Sequence, residues 1–191
     1  PFVTSSNTTI AGVFSGTGLS PKAVDRVIGI SKAYATRVGE GPFPSELKDA
    51  SGERLRRLGN EYGATTGRPR RVGWLDLVAL KHAVEINGVD RLFLTKLDVL
   101  DELEEIQAAT AYELDNVRGE GFPSQASALA RVRPVYRSFP GWRRPLGGMR
   151  RLEELPKAAR AYLDFVAEFV GAPIGYLSIG SGREQTISIV L

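Results

Sequence analysis

Apolar residues recur at helical spacing in two segments of the chain. The first runs from Trp74 and closes at Asn87-Gly88, residues that tolerate a left-handed cap. The second begins at Pro156 and ends at Gly171, which is followed by Pro173. The spacing predicts two amphipathic helices. Their apolar faces are Trp74, Leu77, Val78 and Val84 in the first segment and Ala159, Tyr162, Val166 and Phe169 in the second.

Short apolar runs between turn residues predict strands. The predicted strands are Phe2-Val3, 30–37, 91–95, 106–112, 134–137, 174–177 and 186–191. Two of these runs directly follow a predicted helix. Helix followed by strand is typical of α/β proteins. We therefore expect a three-layer α/β fold, with a largely parallel sheet flanked by helices.

The remaining segments have weaker patterns. Residues 4–18 are rich in Thr, Ser, Asn and Gly and are predicted to form a loop. Ser20-Pro21 predicts a helix start, with Val24, Val27 and Ile28 as its apolar stripe. Residues 48–59 are charged and are predicted to be partly helical on the surface. Residues 143–151 carry four arginines among glycines and a proline, so we expect an exposed segment.

Composition excludes several kinds of chemistry. The 191 residues contain no cysteine and a single histidine, His82, which rules out a thiol nucleophile and a multi-histidine metal site. A net charge of +3, with basic residues in loops and no interleaved aromatic residues, does not indicate nucleic-acid binding. No apolar run reaches membrane-spanning length and no secretory signal is visible, so we expect a cytoplasmic protein without a membrane partner. The chain begins at Pro1 without an initiator methionine, and we expect it to be part of a longer polypeptide.

The segment from Gly63 to Asp76 has the residues of an anion site. Two threonines lie between two glycines, and Arg68, Arg70 and Arg71 follow just before a predicted helix. Glycine permits close backbone approach, threonine donates and accepts hydrogen bonds, and arginine matches carboxylate or phosphate oxygens. A solvated basic turn is the competing interpretation.

Thr95-Lys96-Leu97-Asp98 stands at the end of a predicted strand. A carboxylate at Asp98 can accept two hydrogen bonds from the N1–H and amino group of guanine, which adenine cannot offer, while the lysine stem lies along the base. Ser178 to Gly182 follows another strand and could reach the same base, because ligands of α/β sheets bind at the carboxyl ends of strands. A solvated strand end is the alternative interpretation of this tripeptide.

Five separated motifs in this order resemble the adenylosuccinate synthetase family, and the resemblance covers nearly the whole chain. The motifs are Pro1-Phe2-Val3-Thr4-Ser5-Ser6-Asn7-Thr8-Thr9, Thr36-Arg37-Val38-Gly39-Glu40-Gly41-Pro42-Phe43-Pro44, Gly63-Ala64-Thr65-Thr66-Gly67-Arg68-Pro69-Arg70-Arg71, Gly73-Trp74-Leu75-Asp76 and Thr95-Lys96-Leu97-Asp98-Val99-Leu100. The resemblance implies a fold related to P-loop NTPases. It also implies a ligase that joins IMP and L-aspartate with GTP and Mg²⁺, giving adenylosuccinate, GDP and phosphate, and that acts as a homodimer.

The resemblance also implies a role for individual residues. The residues expected to bind IMP are Thr4, Val38, Gly39 and Arg68. Those expected to bind aspartate are Ala64, Thr65, Thr66, Gly67, Arg68 and Arg70. Those expected to bind GTP are Arg70, Lys96, Leu97, Asp98, Ser178, Ile179 and Gly180. Ile179 stands where the family usually has threonine, which puts a side-chain contact in doubt.

The family's amino-terminal half is absent from these 191 residues. That half carries the phosphate loop, the aspartate that serves as catalytic base and Mg²⁺ ligand, and the histidine general acid. No Gly-x-x-x-x-Gly-Lys pattern occurs here. His82 matches no catalytic position, and we expect it to be structural. We therefore interpret residues 1–191 as a carboxyl-terminal part with no catalytic residue and no metal ligand. The alternatives are a non-catalytic nucleotide- or aspartate-binding fragment and a phage-type 2-aminoadenylosuccinate synthetase.

Overall fold

The computed structural model describes residues 7–189, so the predicted strand Phe2-Val3 and the IMP candidate Thr4 lie outside the described residues. The helices are α1 (Ala11–Thr17), α2 (Ala50–Leu58), α3 (Leu77–Asn87), α4 (Ala126–Leu129) and α5 (Lys157–Val170). The strands are β1 (Ile28–Lys32), β2 (Ala35–Arg37), β3 (Arg71–Gly73), β4 (Leu75–Asp76), β5 (Arg91–Thr95), β6 (Glu105–Leu114), β7 (Val117–Gly119), β8 (Arg133–Pro140), β9 (Ile174–Ser178) and β10 (Thr186–Ser188).

The first sheet has the strand order β1-β5-β9-β10. Strands β1, β5 and β9 are parallel, and β10 runs antiparallel to β9. Lys32 pairs with Thr95, and Leu94 pairs with Leu177. The carboxyl ends of the three parallel strands therefore meet at one edge of the sheet, as the α/β prediction requires.

The second sheet is built around β6. Strand β4 pairs with β6 in parallel, whereas β7 and β8 pair with it antiparallel. Strands β2 and β3 form a separate antiparallel pair. The predicted parallel sheet thus describes the first sheet, and the mainly antiparallel second sheet is a feature that the sequence pattern did not predict.

Helices α3 and α5 pack against each other, and they also contact β6 and β8, respectively. Both predicted amphipathic helices are confirmed. On α5, Ala159, Tyr162 and Val166 are buried, and Phe169 packs against the same core. Helix α3 begins at Leu77 rather than Trp74, because the carboxylate of Asp76 accepts a hydrogen bond from the backbone N–H of Ala79 (3.1 Å) and caps the helix there.

Several local predictions were wrong. Within the predicted loop 4–18, residues Ala11–Thr17 form α1, which ends at Gly18 in the left-handed conformation. The predicted helix after Ser20-Pro21 is only a single 3₁₀ turn, Pro21–Ala23. The apolar residues beyond it lead into β1 instead, where the backbone N–H of Val27 donates to Asp90 (2.7 Å) and β1 pairs with β5.

Two more predictions need correction. The predicted strand 30–37 is divided into β1 and β2, because Ala33 and Tyr34 turn inward and are buried. Segment 143–151 is not uniformly exposed, since Leu146 and Met149 are buried in the core. Asp101 holds this segment by accepting a hydrogen bond from the backbone N–H of Leu146 (2.9 Å).

Candidate functional site

The candidate site lies where the parallel strands of the first sheet end. Lys32 ends β1, Lys96 directly follows β5, and Ser178 ends β9. The strand register places these ends side by side. The sequence-based expectation that the Lys96 and Ser178 loops lie at one edge is therefore confirmed.

The Lys96 turn is fixed by its neighbours. Lys96 has a left-handed backbone (φ 60°) and opens the 3₁₀ helix Leu97–Leu100. Leu97, Val99 and Leu100 are buried, while Lys96 and Asp98 remain partly exposed. Partial burial raises the pKa of the Asp98 carboxyl. The apolar residues therefore anchor the turn in the core, and the two polar side chains stay within reach of a ligand. Leu97 itself, a GTP candidate, has no exposed surface.

A buried carboxylate, Glu61, lies beneath this edge. Glu61 has no exposed surface. Its Oε1 accepts hydrogen bonds from Lys32 Nζ (2.8 Å), Lys96 Nζ (2.8 Å) and the hydroxyl of Tyr34 (2.5 Å). Its Oε2 accepts one from the guanidinium of Arg70 (2.8 Å). We call these five residues the Glu61 cluster.

The Glu61 cluster carries a net positive charge. Three cations, Lys32, Arg70 and Lys96, surround one carboxylate, which leaves a surplus of two positive charges. Burial opposes ionisation of Glu61, but the hydrogen bonds from its partners outweigh it and hold its pKa at about 2. Burial raises the pKa of Tyr34, which therefore stays protonated and donates. The cluster thus combines a fixed charge network with a positive surface that suits anions.

Residues 63–68 form an exposed turn above the cluster. The backbone N–H of Gly63 donates to Arg68 O (2.8 Å), and that of Gly67 donates to Gly63 O (2.8 Å). Gly67 has φ 64°, a conformation that favours glycine. All the side chains that the sequence assigns to aspartate in this turn are exposed: Ala64, Thr65, Thr66 and Arg68. The turn is open to a ligand.

The three arginines of the motif have different surroundings. Arg68 is exposed, and Arg70 is held by Glu61. Arg71 forms two hydrogen bonds to the carboxylate of Glu46 (both 2.7 Å) and also donates to Gly39 O (3.1 Å) and Gly41 O (3.0 Å). Arg71 therefore supports the loop that contains the IMP candidates Val38 and Gly39, so only two of the three arginines remain for anions.

The loop after β9 is compact. The hydroxyl of Ser178 donates to Gly180 O (2.8 Å). Ile179 has no exposed surface, and its N–H donates to Gln185 O (3.0 Å). The Gln185 side chain accepts a hydrogen bond from the N–H of Gly182 (2.9 Å). The isoleucine that stands in place of threonine is thus a core residue, and Ser178 and Gly180 are the partly exposed candidates of this loop.

Sequence reasoning missed Glu61, Lys32 and Tyr34. They belong to none of the ligand-binding segments singled out from the sequence, and only the fold brings them together at the strand ends. His82 lies in α3 and stacks on Phe122 with 4.8 Å between ring centroids, a packing contact consistent with the structural role expected for it.

Residues 7–189 lack the features of a clustered metal site and of a membrane-spanning helix. No group of three or more His, Asp or Glu side chains in this part could hold a metal ion. None of its helices has the length and apolar character needed to cross a bilayer.

Comparison with known proteins agrees with this geometry. The family model described as adenylosuccinate synthetase matches residues 1–187. An adenylosuccinate synthetase from Picosynechococcus is 54% identical over 189 residues, which is 99% of this chain and 43% of the relative. The structure of the fully ligated adenylosuccinate synthetase from Plasmodium falciparum matches with a TM-score of 0.95 and 39% identity, covering all of this chain and 46% of that one.

A more distant match is the succinoaminodeoxyadenylate synthetase of cyanophage S-2L, solved with dGMP and with dATP as an energy donor. It has a TM-score of 0.52 and 19% identity over 98% of this chain and 41% of the phage chain, so it shares the fold. Fold and site together define an α/β protein with a positively charged cluster at the carboxyl edge of its parallel strands. The chain belongs to the adenylosuccinate synthetase family, and it spans less than half the length of the relatives described here.

Proposed function

We propose that this chain is the carboxyl-terminal part of a GTP-dependent ligase that joins IMP and L-aspartate to form adenylosuccinate, with GDP and phosphate as the other products. The observation that carries the proposal is the family match over residues 1–187 together with Lys96 and Asp98 at the carboxyl edge of the parallel sheet. In this reading the chain supplies binding groups for three substrates and no catalytic residue.

The guanine assignment rests on position and chemistry. Asp98 is partly exposed directly after the buried Leu97, so its carboxylate can face a ligand at the sheet edge. Two carboxylate oxygens match the N1–H and amino donors of guanine. Ser178 and Gly180 lie on the adjacent strand end and complete the proposed base site, and Ile179 supports it from the core.

The aspartate assignment rests on the exposed turn. Thr65, Thr66 and Arg68 offer hydroxyl and guanidinium donors beside the backbone groups of Ala64 and Gly67. Arg70 follows this turn, and it shares an ion-pair partner, Glu61, with Lys96. This position suits a residue that contacts both aspartate and GTP. Val38, Gly39, Arg68 and Thr4 are the proposed IMP contacts.

We include Mg²⁺ in the proposal only because the resemblance to the family implies it. We propose that most of its ligands lie in the family's amino-terminal half, as the resemblance implies, and we assign it no step here. A cytoplasmic location and a homodimer are likewise proposals that rest on the family.

Two alternatives have less support. A phage-type synthetase that uses an adenine nucleotide as energy donor would not need a carboxylate that selects guanine, and the phage relative is only 19% identical, against 39% for the Plasmodium enzyme. A non-catalytic module that only binds nucleotide or aspartate would use the same residues, and activity of the full-length protein distinguishes it.

The test is Asp98→Asn in the full-length enzyme. The amide cannot accept both guanine hydrogen bonds, and an unpaired buried donor costs about 1–3 kcal/mol, so we expect the KM for GTP to rise roughly tenfold or more. The KM values for IMP and aspartate should stay normal in steady-state kinetics. The matched control is Asp101→Asn, which removes the carboxylate bound to Trp142 Nε1 (2.8 Å) and should lower only stability. A normal KM for GTP in Asp98→Asn would refute the guanine site.

A further inference from the structure

Glu61 connects two elements that the proposed function assigns to different substrates. It lies two positions before Gly63, the first residue of the turn at 63–68, and its backbone pairs with the far side of that turn, because the N–H of Arg70 donates to Glu61 O (2.9 Å). Its side chain reaches Lys96 at the end of β5 (2.8 Å). A single fully buried residue thus fixes the base of the turn and the position of Lys96.

Lys96 depends on this connection. Its backbone is left-handed, which is unfavourable for a residue with a side chain, and its Nζ donates both to Glu61 and to Gly59 O (2.7 Å). Gly59 and Glu61 are two residues apart, just after α2. The ammonium group is therefore held by the segment that leads into the turn.

Arg70 depends on the same carboxylate. Its guanidinium donates to Glu61 Oε2 (2.8 Å), while the ammonium groups of Lys32 and Lys96 share Oε1. Without the negative charge, three cations would repel one another across the space that Glu61 now fills. Removal of the charge should therefore displace Arg70 and Lys96 together.

We propose that Glu61 is a positioning residue that sets Arg70 and Lys96 jointly and so couples the aspartate turn to the guanine loop. This inference rests on the proposed function, because it takes Arg70 as a contact of aspartate and GTP and Lys96 as a contact of guanine. Glu61 itself touches no substrate, since it has no exposed surface.

The experiment is steady-state kinetics of Glu61→Gln in the full-length enzyme, with each substrate varied in turn. Glutamine keeps the size of the side chain but removes the charge that binds three cations. We expect the KM values for GTP and aspartate to rise together, each by about tenfold or more. The KM for IMP should change least, and kcat should change less than the two raised KM values.

The matched control is Glu46→Gln. It makes the same substitution in a carboxylate that is paired with Arg71, the neighbour of Arg70, but it contacts neither Arg70 nor Lys96. We expect it to leave the KM values for GTP and aspartate unchanged. A rise of the same size in this variant would show a general effect of losing a charge near the turn and would overturn the proposal.

A merely structural Glu61 gives a different pattern. Glu61→Gln would then lower the melting temperature and the active fraction, and so kcat, while the KM values for GTP and aspartate stay normal; this result overturns the proposal. If Glu61→Gln does not fold, Glu61→Asp keeps the charge but shortens the reach to four donors. It should raise the same two KM values by a smaller factor, and normal values there would also overturn the proposal.

The results that would contradict the ligase assignment differ from those that would contradict the coupling through Glu61. If the wild-type full-length protein forms no adenylosuccinate from IMP, aspartate and GTP, the ligase assignment is wrong. If the wild-type enzyme is active and only the joint shift of the two KM values is absent, the coupling through Glu61 is wrong and the ligase assignment stands.

Discussion

Arg68 and Arg70 are two positions apart, yet their side chains are in opposite situations. The guanidinium of Arg70 is bound to Glu61, whereas Arg68 is exposed and makes no hydrogen bond or ion pair through its side chain with any of residues 7–189. An exposed guanidinium beside Thr65 and Thr66 is available for a ligand, and a planar fork can bind a carboxylate through two parallel bonds. This difference supports a test at Arg68 that leaves the Glu61 cluster intact.

We expect Arg68→Leu to impair aspartate use most in the full-length enzyme. Leucine fills part of the space and offers no donor, and charge-assisted hydrogen bonds contribute about 1.5–3 kcal/mol each. The kcat/KM for aspartate should fall roughly tenfold or more, the value for IMP should fall less, and that for GTP should change least. Steady-state kinetics with each substrate varied in turn measures this. If the GTP constant moved most and aspartate stayed normal, the turn would be a nucleotide-phosphate site.

The pKa of Glu61 predicts how acid affects stability. Its pKa is about 2 in the folded protein, below its ordinary value of 4.5, because Lys32, Lys96, Tyr34 and Arg70 hydrogen-bond its ionised form. A lowered carboxyl pKa adds stability that is complete above the ordinary pKa and is lost as pH falls through the folded one. We expect the stability difference between the wild type and Glu61→Gln to be constant above about pH 5.

That difference should shrink as pH falls from about 4.5 toward 2, where the Glu61 carboxyl becomes protonated. Thermal denaturation of both proteins across this range measures it, and the exposed pair Arg131–Asp115 offers a control in Asp115→Asn, because exposed ion pairs add little stability. A difference that keeps its full size down to pH 2 would contradict the assignment of the low pKa to Glu61.

Among single residues, the sequence indicated those at the surface of the site better than those beneath it. Lys96, Asp98, Thr65 and Thr66 stand in recognisable motifs at the ends of strands or between glycines, and the structure leaves them partly or fully exposed. Glu61 gave no signal, because its role depends on Lys32 and Lys96, which are 29 and 35 positions away along the chain. Contacts that depend on the tertiary fold cannot be read from local spacing.

Among the elements, the loop after β9 is closed by the side chain of Gln185. A Cβ at Gly180 would lie 2.3 Å from the Oε1 of Gln185, the same oxygen that accepts the N–H of Gly182. The Gln185 side chain also donates to Gly147 O (3.3 Å). An alanine at position 180 would therefore push away the side chain that closes the loop.

We expect Gly180→Ala to raise the KM for GTP, because displaced Gln185 would free the loop that carries Ser178. Loss of one or two hydrogen bonds predicts a change of roughly fivefold to tenfold. Gly148→Ala is the matched control, since a Cβ there meets nothing within 4 Å, and it should leave the KM for GTP unchanged. Kinetics with varied GTP measures both variants, and an equal KM in the two would show that the loop geometry does not affect GTP.

Element prediction succeeded where a helical stripe was long and clearly ended. Helix α5 has an apolar face over 14 residues and a glycine stop, and it lies where the pattern placed it. Helix α1 was missed because its seven residues, Ala11–Thr17, bury no side chain and so leave no apolar stripe. Strand β6 was predicted over 106–112 and extends slightly beyond both limits, because it pairs with β8, which is distant along the chain, and with β7, which follows it in a hairpin.

At the scale of the whole molecule, the described residues supply charged groups to the candidate site, all at one edge of a sheet. The carboxyl edge of the first sheet carries the Glu61 cluster, with its surplus of two positive charges, and the partly exposed Asp98. These groups suit the binding of anions and of a base, and the described residues include no group of three or more His, Asp or Glu side chains that could hold a metal ion. The chain spans 43% of its Picosynechococcus relative, so other parts of the family's length are available for the chemical steps.

We therefore expect the isolated 191-residue chain to form no adenylosuccinate. It contains no Gly-x-x-x-x-Gly-Lys sequence to bind transferring phosphates, and its one histidine, His82, lies in α3 and is stacked on Phe122. Binding residues alone hold substrates without lowering the barrier of a phosphoryl transfer, which needs stabilisation of the transferring charge. The measurement is product formation by pure chain with IMP, aspartate, GTP and Mg²⁺, beside the full-length enzyme as positive control. Product above the enzyme-free background, in proportion to added chain, would show that residues 1–191 carry catalytic groups. The proposal that this chain supplies only binding groups would then be wrong.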